Sequence, residues 1–440
     1  MTASAKKNVM LISLDDMVAY WKYKTLFGQE LQTPNLDRIC AQSTAFHSAY
    51  CQVPVCSPSR ASFMSGISPY HSGIVERDPH YYNHFPPQKM WPHALKSNGV
   101  YSSTGGKVMR GYRALPEWVH DIVHSDERTL YHIAKRRRQY DERMLPGHIE
   151  YGGFRGGLAT NVQWAEDNLY CNRVADRAIA FLNDYDGEAP FYRGVGFQSP
   201  HGPWTTPRRF KEMYPVFKFE QPAEWAGDFP EPPLAGEISH KNIDPKKTHF
   251  WKKSLRNYFS SISYADYQIG RVWDALKASR FADSTMVVIL SDHGLHVGER
   301  ERFTKGSLWE QVTNVPLIIH DPQAPQGRVV TDPVGLIDVG NTIMDYLDLP
   351  PIEGSVGHSL RPQMAGASVP DRAVPTFHFR NSAIRKGKYR YIRYADGTEE
   401  LFDVEADWWQ TTNLGPDHPA HEEMRQAHVE TCAEYGLNLN

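Results

Sequence analysis

Two short clusters in this chain have the composition of a metal site. Asp15-Asp16 stand directly after the apolar run Val9 to Leu14, and Ser291-Asp292-His293-Gly294 directly after Met286 to Leu290. Each run is strand-length and almost continuously apolar, as in strands covered on both faces. Open α/β sheets bind ligands at the carboxyl ends of such strands, so both clusters fall where chemistry is done. Adjacent carboxylates repel each other, and keeping both ionised calls for a cation. Alone, Asp15-Asp16 reads better as a solvated turn. Asp292 and a neutral His293 imidazole at a second strand end change that reading, because together the clusters supply a mixed oxygen and nitrogen shell.

The most specific stretch is Cys56-Ser57-Pro58-Ser59-Arg60, continuing through Ala61-Ser62-Phe63-Met64-Ser65 to Gly66. Ser57 is expected to cap and Pro58 to open a helix that Gly66 terminates. Cys56 then sits at a helix amino terminus, where partial positive charge favours an anion and lowers a thiol pKa. A thiolate suits a hard, oxygen-preferring cation poorly. Cys51, five residues earlier, leaves a redox pair or two small buried hydrophobes as other readings. Lys107, Lys305 and His201, read singly, are surface lysines and a turn residue.

Taken together these residues carry a resemblance. Cys56-x-Pro58-Ser59-Arg60 followed by Met64-Ser65-Gly66 is similar to the signature of the type I, formylglycine-dependent sulfatases of the alkaline phosphatase superfamily. The likeness runs from Leu14-Asp15-Asp16 through Thr33-Pro34-Asn35-Leu36-Asp37, Gly106-Lys107 and Ser199-Pro200-His201. It resumes at Ser291 to Gly294 and Lys305, and ends near Glu400-Leu401-Phe402-Asp403 and Asn413-Leu414. Ser263-Tyr264-x-Asp266 and Gly298-Glu299 make it most similar to the iduronate-2-sulfatase and choline-sulfatase branches.

The resemblance implies that Cys56 is converted to formylglycine by a formylglycine-generating enzyme. It implies a divalent cation at Asp15, Asp16, Cys56, Asp292 and His293, usually calcium, with magnesium and manganese as alternatives. The formylglycine hydrate would attack sulfur, and its second hydroxyl would then expel sulfate. Arg60 would fix the diol, Lys107 and Lys305 would hold the sulfate oxygens, and His201 would serve as general acid at the leaving oxygen. One departure stands out. Related sulfatases place a histidine shortly after Gly-Lys, where this chain reads Val108-Met109-Arg110. An arginine holds an anion but is no base near neutral pH. His47 and His71 are the candidate substitutes.

The elements that must position these groups read as an α/β fold: a large, mostly parallel sheet flanked by helices, with a smaller C-terminal antiparallel sheet subdomain. Phe191 to Phe197 and Val315 to Ile319 add strands; Thr33-Pro34 predicts a capped helix entry. Val174, Ala178, Phe181 and Leu182 share one helical face, as do Ile262, Ala265, Ile269, Val272, Trp273 and Leu276. Residues 1–350 are expected to form the catalytic domain, with inserts near 111–160 and 200–250, and 351–440 the subdomain. The first insert carries the basic run Lys135 to Arg138 and the stretch Gly152-Gly153-Phe154-Arg155-Gly156-Gly157; the second is rich in proline and aromatics. Trp91, Trp118, Trp204 and Tyr151 are candidate pocket walls, though aromatics are more often core.

The 440 residues carry 40% hydrophobic and 22% charged side chains, which excludes wholesale disorder, and a net charge of −3 gives no global attraction to nucleic acid or anionic lipid. The five cysteines are an odd number for a disulfide framework. With no long apolar stretch and no glycosylation sequon, a cytoplasmic enzyme with no membrane partner is expected. Its substrate would be a small sulfate ester, a sulfated saccharide or choline sulfate. A phosphonate monoester or phosphodiester hydrolase is the runner-up, and a catalytically silent anion-binding protein the alternative of another class. The inserts and tail leave room for a homo-oligomer.

Overall fold

The structure is a computed structural model that describes residues 6–109, 111, 114–126, 146–227, 229–244 and 246–439. Arg110 and the Lys135 to Arg138 run lie outside the described residues. The main sheet is formed by β1 (Asn8–Asp15), β2 (Thr44–Tyr50), β3 (Tyr101–Gly106), β6 (Phe191–Pro200), β8 (Thr285–Ser291), β9 (Asn314–His320), β10 (Arg328–Val330) and β11 (Val334–Gly335). Their order is β10-β2-β9-β8-β1-β6-β3, with β11 also on β2. The central strands β8, β1, β6 and β3 are parallel to one another, while β9 runs antiparallel to both β2 and β8. The sheet is therefore mixed, with a parallel centre.

Alternation within the buried strands explains why they looked uniformly apolar. Val9 and Leu11 of β1 point into one core; Met10, Ile12 and Leu14 point into the other. In β8, Met286, Val288 and Leu290 join the first core, and Val287 and Ile289 the second. Each such side chain removed from water contributes roughly 1.5–3 kcal/mol, so both faces must be covered. Helices Tyr170–Asp184 and Thr248–Ala278 cover one face through Val174, Ala178, Leu182, Ile262, Ile269 and Leu276. Helices Cys56–Ser65, Trp91–Ser97 and Asp338–Tyr346 cover the other.

Two short sheets complete the described residues. β4 (His148–Glu150), β5 (Leu158–Thr160) and β7 (Thr206–Pro207) tie the two inserts together. β12 (Val374–His378), β13 (Asn381–Lys386), β14 (Tyr389–Arg393) and β15 (Glu399–Asp403) form an antiparallel sheet backed by helix His421–Glu434. Gly397, with φ of 88°, makes the turn between β14 and β15. Among the described residues no helix is long and apolar enough to cross a membrane.

Two expected helix caps differ from the sequence reading. Thr33 does not cap the Pro34–Cys40 helix with its side chain. Asp266, from the long helix, instead accepts from the backbone N–H groups of Asn35 (3.1 Å) and Leu36 (2.7 Å). Ser57 lies inside the Cys56–Ser65 helix, whose cap is Val55, and its hydroxyl accepts from Asp78 N–H at 3.0 Å. Gly66 ends that helix in the left-handed conformation, φ 70°.

Candidate active site

Parallel neighbours in a sheet end at the same edge, and this register assembles the site. Leu14 pairs with Ser291 and Asp15 with Pro200, while Gly106 pairs with Gly196. Lys107, His201, Asp15-Asp16 and Asp292-His293 therefore emerge side by side from β3, β6, β1 and β8. Gly196 makes the approach feasible: a Cβ there would lie 2.2–2.5 Å from the Lys107 backbone. Asp16 takes a left-handed φ of 64°, held from both sides. Its N–H donates to Asp292 Oδ1 (3.3 Å), and its carbonyl accepts from the Tyr258 hydroxyl (2.6 Å).

The amino terminus of the Cys56–Ser65 helix sits at this edge. Ser59 Oγ donates to the Asp292 carbonyl at 2.5 Å. Arg60 is fully buried and spends its guanidinium on the framework: Nε donates to Asp292 Oδ2 (2.9 Å), Nη2 to the Leu14 carbonyl (3.0 Å), and Nη1 to Ser13 Oγ and the Val108 and Lys107 carbonyls. The C-terminal sheet braces the approach to this helix. Thr376 Oγ1 donates to the Cys51 carbonyl (2.7 Å) and Phe377 N–H to that of Gln52 (2.8 Å). His378 Nδ1 bonds the Gly306 carbonyl, next to Lys305.

The Cys56 sulfur faces Lys305 Nζ at 2.9 Å, His293 Nε2 at 3.2 Å and Asp15 Oδ1 at 3.4 Å. Lys305 also donates to Asp16 Oδ1 at 2.6 Å, and Lys107 contacts Asp15 Oδ2. His201 Nδ1 bonds the Gly202 carbonyl (2.5 Å), leaving Nε2 at 3.7 Å from Asp16 Oδ2. One ligand atom each from Asp15, Cys56, Asp292 and His293 lies within 4.8 Å of the others, and the same holds for Asp15, Asp16, Cys56 and His201.

Charges set the ionisation of this site. Burial alone would raise Asp15, but Lys107, reinforced by His201, Lys305 and Arg60, holds it well below the usual carboxylate range. Against burial, Lys305 and His201 bring Asp16 down to about 2. Burial would lower Lys305 and Lys107, and Asp16 and Asp15 respectively reverse that and raise them. Asp292 overcomes burial to lift His293 to about 9, whereas at His201 burial prevails and lowers the imidazole to about 4. Asp15 and Asp16 stay ionised and draw in positive charge.

The sequence model of the Sulfatase family matches residues 7–349. This chain belongs to the sulfatase family. It is 30% identical to a sulfatase of Formosa agariphila over 91% of this chain and 82% of that protein. It is 28% identical to a choline-sulfatase of Rhizobium meliloti, over 97% and 87%, and 28% identical to human iduronate 2-sulfatase, over 90% and 76%. Among solved structures, a phosphonate monoester hydrolase of Agrobacterium radiobacter superposes with a TM-score of 0.77 at 20% identity, covering 98% of this chain and 95% of that one. The chain is a sulfuric ester hydrolase with the alkaline-phosphatase-like architecture.

In this sulfatase the edge of the sheet brings together Asp15, Asp16, Cys56, Lys107, His201, Asp292, His293 and Lys305. Arg60 lies just beneath them. The histidines grouped with Cys56 are His201 and His293. His47 stacks on Trp21, with ring centroids 4.4 Å apart, and His71 packs beside Gly436. Cys51 is fully buried, and neither it nor Cys56 forms a disulfide. Trp91 and Trp204 are core residues, while Trp118 is 47% exposed and packs edge-on against Tyr82. Sequence reasoning missed Ser13, Tyr258 and Gly196, which position the reactive groups. For Ser13 and Gly196 the only sequence signal was nearness to a strand end; Tyr258, inside the Thr248–Ala278 helix, gave none.

Proposed function

We propose that the enzyme hydrolyses a sulfate monoester with a formylglycine made from Cys56 and a divalent cation held by Asp15, Asp16, Asp292 and His293. The donor set supports the cation. Three buried carboxylates converge there with an imidazole whose raised pKa marks a place where positive charge is favoured. Oxygen-rich ligation favours calcium over softer metals. Such an ion would neutralise charge on the transferred sulfuryl oxygens. The Cys56 sulfur stands where the side-chain oxygens of the matured residue would lie, and a formylglycine hydrate supplies an oxygen nucleophile that a thiol does not.

The chain's own groups then divide the work. Lys305, 2.9 Å from that sulfur, and Lys107 on Asp15 set two ammoniums around the sulfuryl group, where negative charge spreads as the ester S–O bond breaks. His201 Nε2 is the atom positioned to protonate the departing alcohol. Burial alone keeps this imidazole neutral near pH 7, so the negative charge of a bound sulfate ester would be what protonates it for that role. The family match ending at residue 349 and the separate sheet beyond it support a catalytic domain to about residue 350 and a smaller subdomain after it.

The observation that carries this reading is the convergence of Lys305, His293 and Asp15 on Cys56. Mass spectrometry of the Cys56 peptide tests the modification, and sulfate release by a Cys56→Ala variant tests the role. An intact thiol in active enzyme, or a variant as active as wild type, overturns it. Turnover of an aryl sulfate exceeding that of a phosphonate monoester separates the sulfatase reading from its runner-up.

A further inference from the structure

The reading above leaves unused the stretch Gly152 to Gly157, which folds into a fixed loop on the long helix. Asn257 Nδ2 donates to the Gly152 carbonyl (2.7 Å), Phe154 N–H donates to Ser254 Oγ (2.8 Å), and Tyr151 N–H closes the loop on the Gly157 carbonyl (3.0 Å). A Cβ on Gly157 would lie 2.0 Å from the Asn257 amide, and one on Gly153 2.8 Å from the Ser254 nitrogen, so both glycines are demanded by close approach. Phe154 anchors the loop between Trp204 and Phe303, with ring centroids 6.0 and 5.9 Å away. Between these glycines stands Arg155, a non-glycine residue at φ 54°. Such conformations are retained at functional sites when the surroundings enforce them.

We propose that Arg155 is a specificity-determining residue that selects sulfate esters whose alcohol portion carries a second negative charge. The loop lays its side chain against Gly202, the residue after His201: Arg155 Cδ lies 2.5 Å, and Nη1 3.3 Å, from where a Cβ on Gly202 would stand. Gly202 is the residue whose carbonyl holds His201 Nδ1, so Arg155 borders the leaving-group side of the site. The side chain is exposed, and among the described residues no carboxylate pairs with it. Lys253 and Arg256 extend the positive charge: Lys253 Nζ lies 3.7 Å from a Cβ position on Gly152, and Arg256 Nη2 bonds the Tyr151 carbonyl at 2.6 Å. A guanidinium here matches a carboxylate or second sulfate through paired hydrogen bonds and repels a quaternary ammonium. Of the two substrates left open by the sequence, this favours an acidic sulfated saccharide over choline sulfate.

The inference rests on the sulfate-ester reading, and its test separates the two. Matured wild-type, Arg155→Gln and Arg155→Lys enzymes are assayed on phenyl sulfate, 3-carboxyphenyl sulfate, a disulfated monosaccharide and choline sulfate. Arg177→Gln, on an exposed helix face, controls for net charge. For Arg155→Gln the ratio of kcat/KM on either doubly charged ester to that on phenyl sulfate falls about tenfold or more, and Arg155→Lys recovers part of the loss. A larger loss with the carboxyphenyl ester identifies a carboxylate as the recognised group; a larger loss with the disulfate identifies a second sulfate. Unchanged ratios, or wild-type preference for choline sulfate, overturn the proposal alone. Wild-type enzyme that cleaves none of the four overturns the sulfate-ester reading and this inference with it.

Discussion

Replacing Arg60 with lysine tests whether this residue acts on the substrate or on the framework. The side chain is fully buried and meets Asp292 Oδ2, Ser13 Oγ and the carbonyls of Leu14, Lys107 and Val108. These acceptors come from β1, from the segment after β3 and from the end of β8, so one guanidinium fastens three strand ends to the Cys56–Ser65 helix. A lysine keeps the charge, but its single ammonium cannot reach both sides of that span. With Asp292 still paired, at least two carbonyls lose their donor, at about 1–3 kcal/mol each. Allowing for local relaxation, Arg60→Lys is expected to cost about 3 kcal/mol, roughly a hundredfold in the folding equilibrium. Urea unfolding of wild type and variant, followed by tryptophan fluorescence at saturating calcium, measures the loss. Activity falls as well, because Asp292 and Lys107 move. A variant with the wild-type midpoint and a collapsed kcat would refute the reasoning and return Arg60 to direct contact with the reacting group.

Three further outcomes follow from the same contacts. Gly196→Ala drives a Cβ to 2.2–2.5 Å from the Lys107 backbone, so kcat drops about a hundredfold as Lys107 is displaced by about 1 Å; steady-state assay of a folded variant checks this, and normal kcat contradicts it. Asp266→Ala removes the acceptor for Asn35 and Leu36 and lowers stability by about 1–2 kcal/mol, whereas Thr33→Ala costs less; the order of their unfolding midpoints decides. Burial, with Arg393 adding to it, lowers His428 to about 3. Because the folded value lies below the unfolded one, the stability is present in full above about pH 6.5 and is lost as pH falls toward 3, by at most about 1.4 kcal/mol per pH unit. His428→Gln, which can still bond Ser382, flattens that part of the stability profile; an unchanged profile counts against the assignment.

What the sequence revealed, and what it hid, divides by the range of the interactions. Strand runs and the Cys56 helix with its Gly66 terminator are local patterns, and the structure forms each of them. The sulfatase motif then placed Lys107, His201 and Lys305, which pattern alone would have left as surface or turn residues. The residues that orient these groups could not be read in the same way. Asp266 displaces Thr33 as a cap from 230 residues away, and Tyr258 fixes Asp16 from 242. Arg60 carries the same lesson further, because a motif identifies a residue without saying which way its side chain points. Its donors turn toward the sheet because that is where unpaired carbonyls and the buried Asp292 lie. The groups in direct contact with the Cys56 sulfur include Lys305 and His293, which join the site only when segments distant in sequence become neighbours.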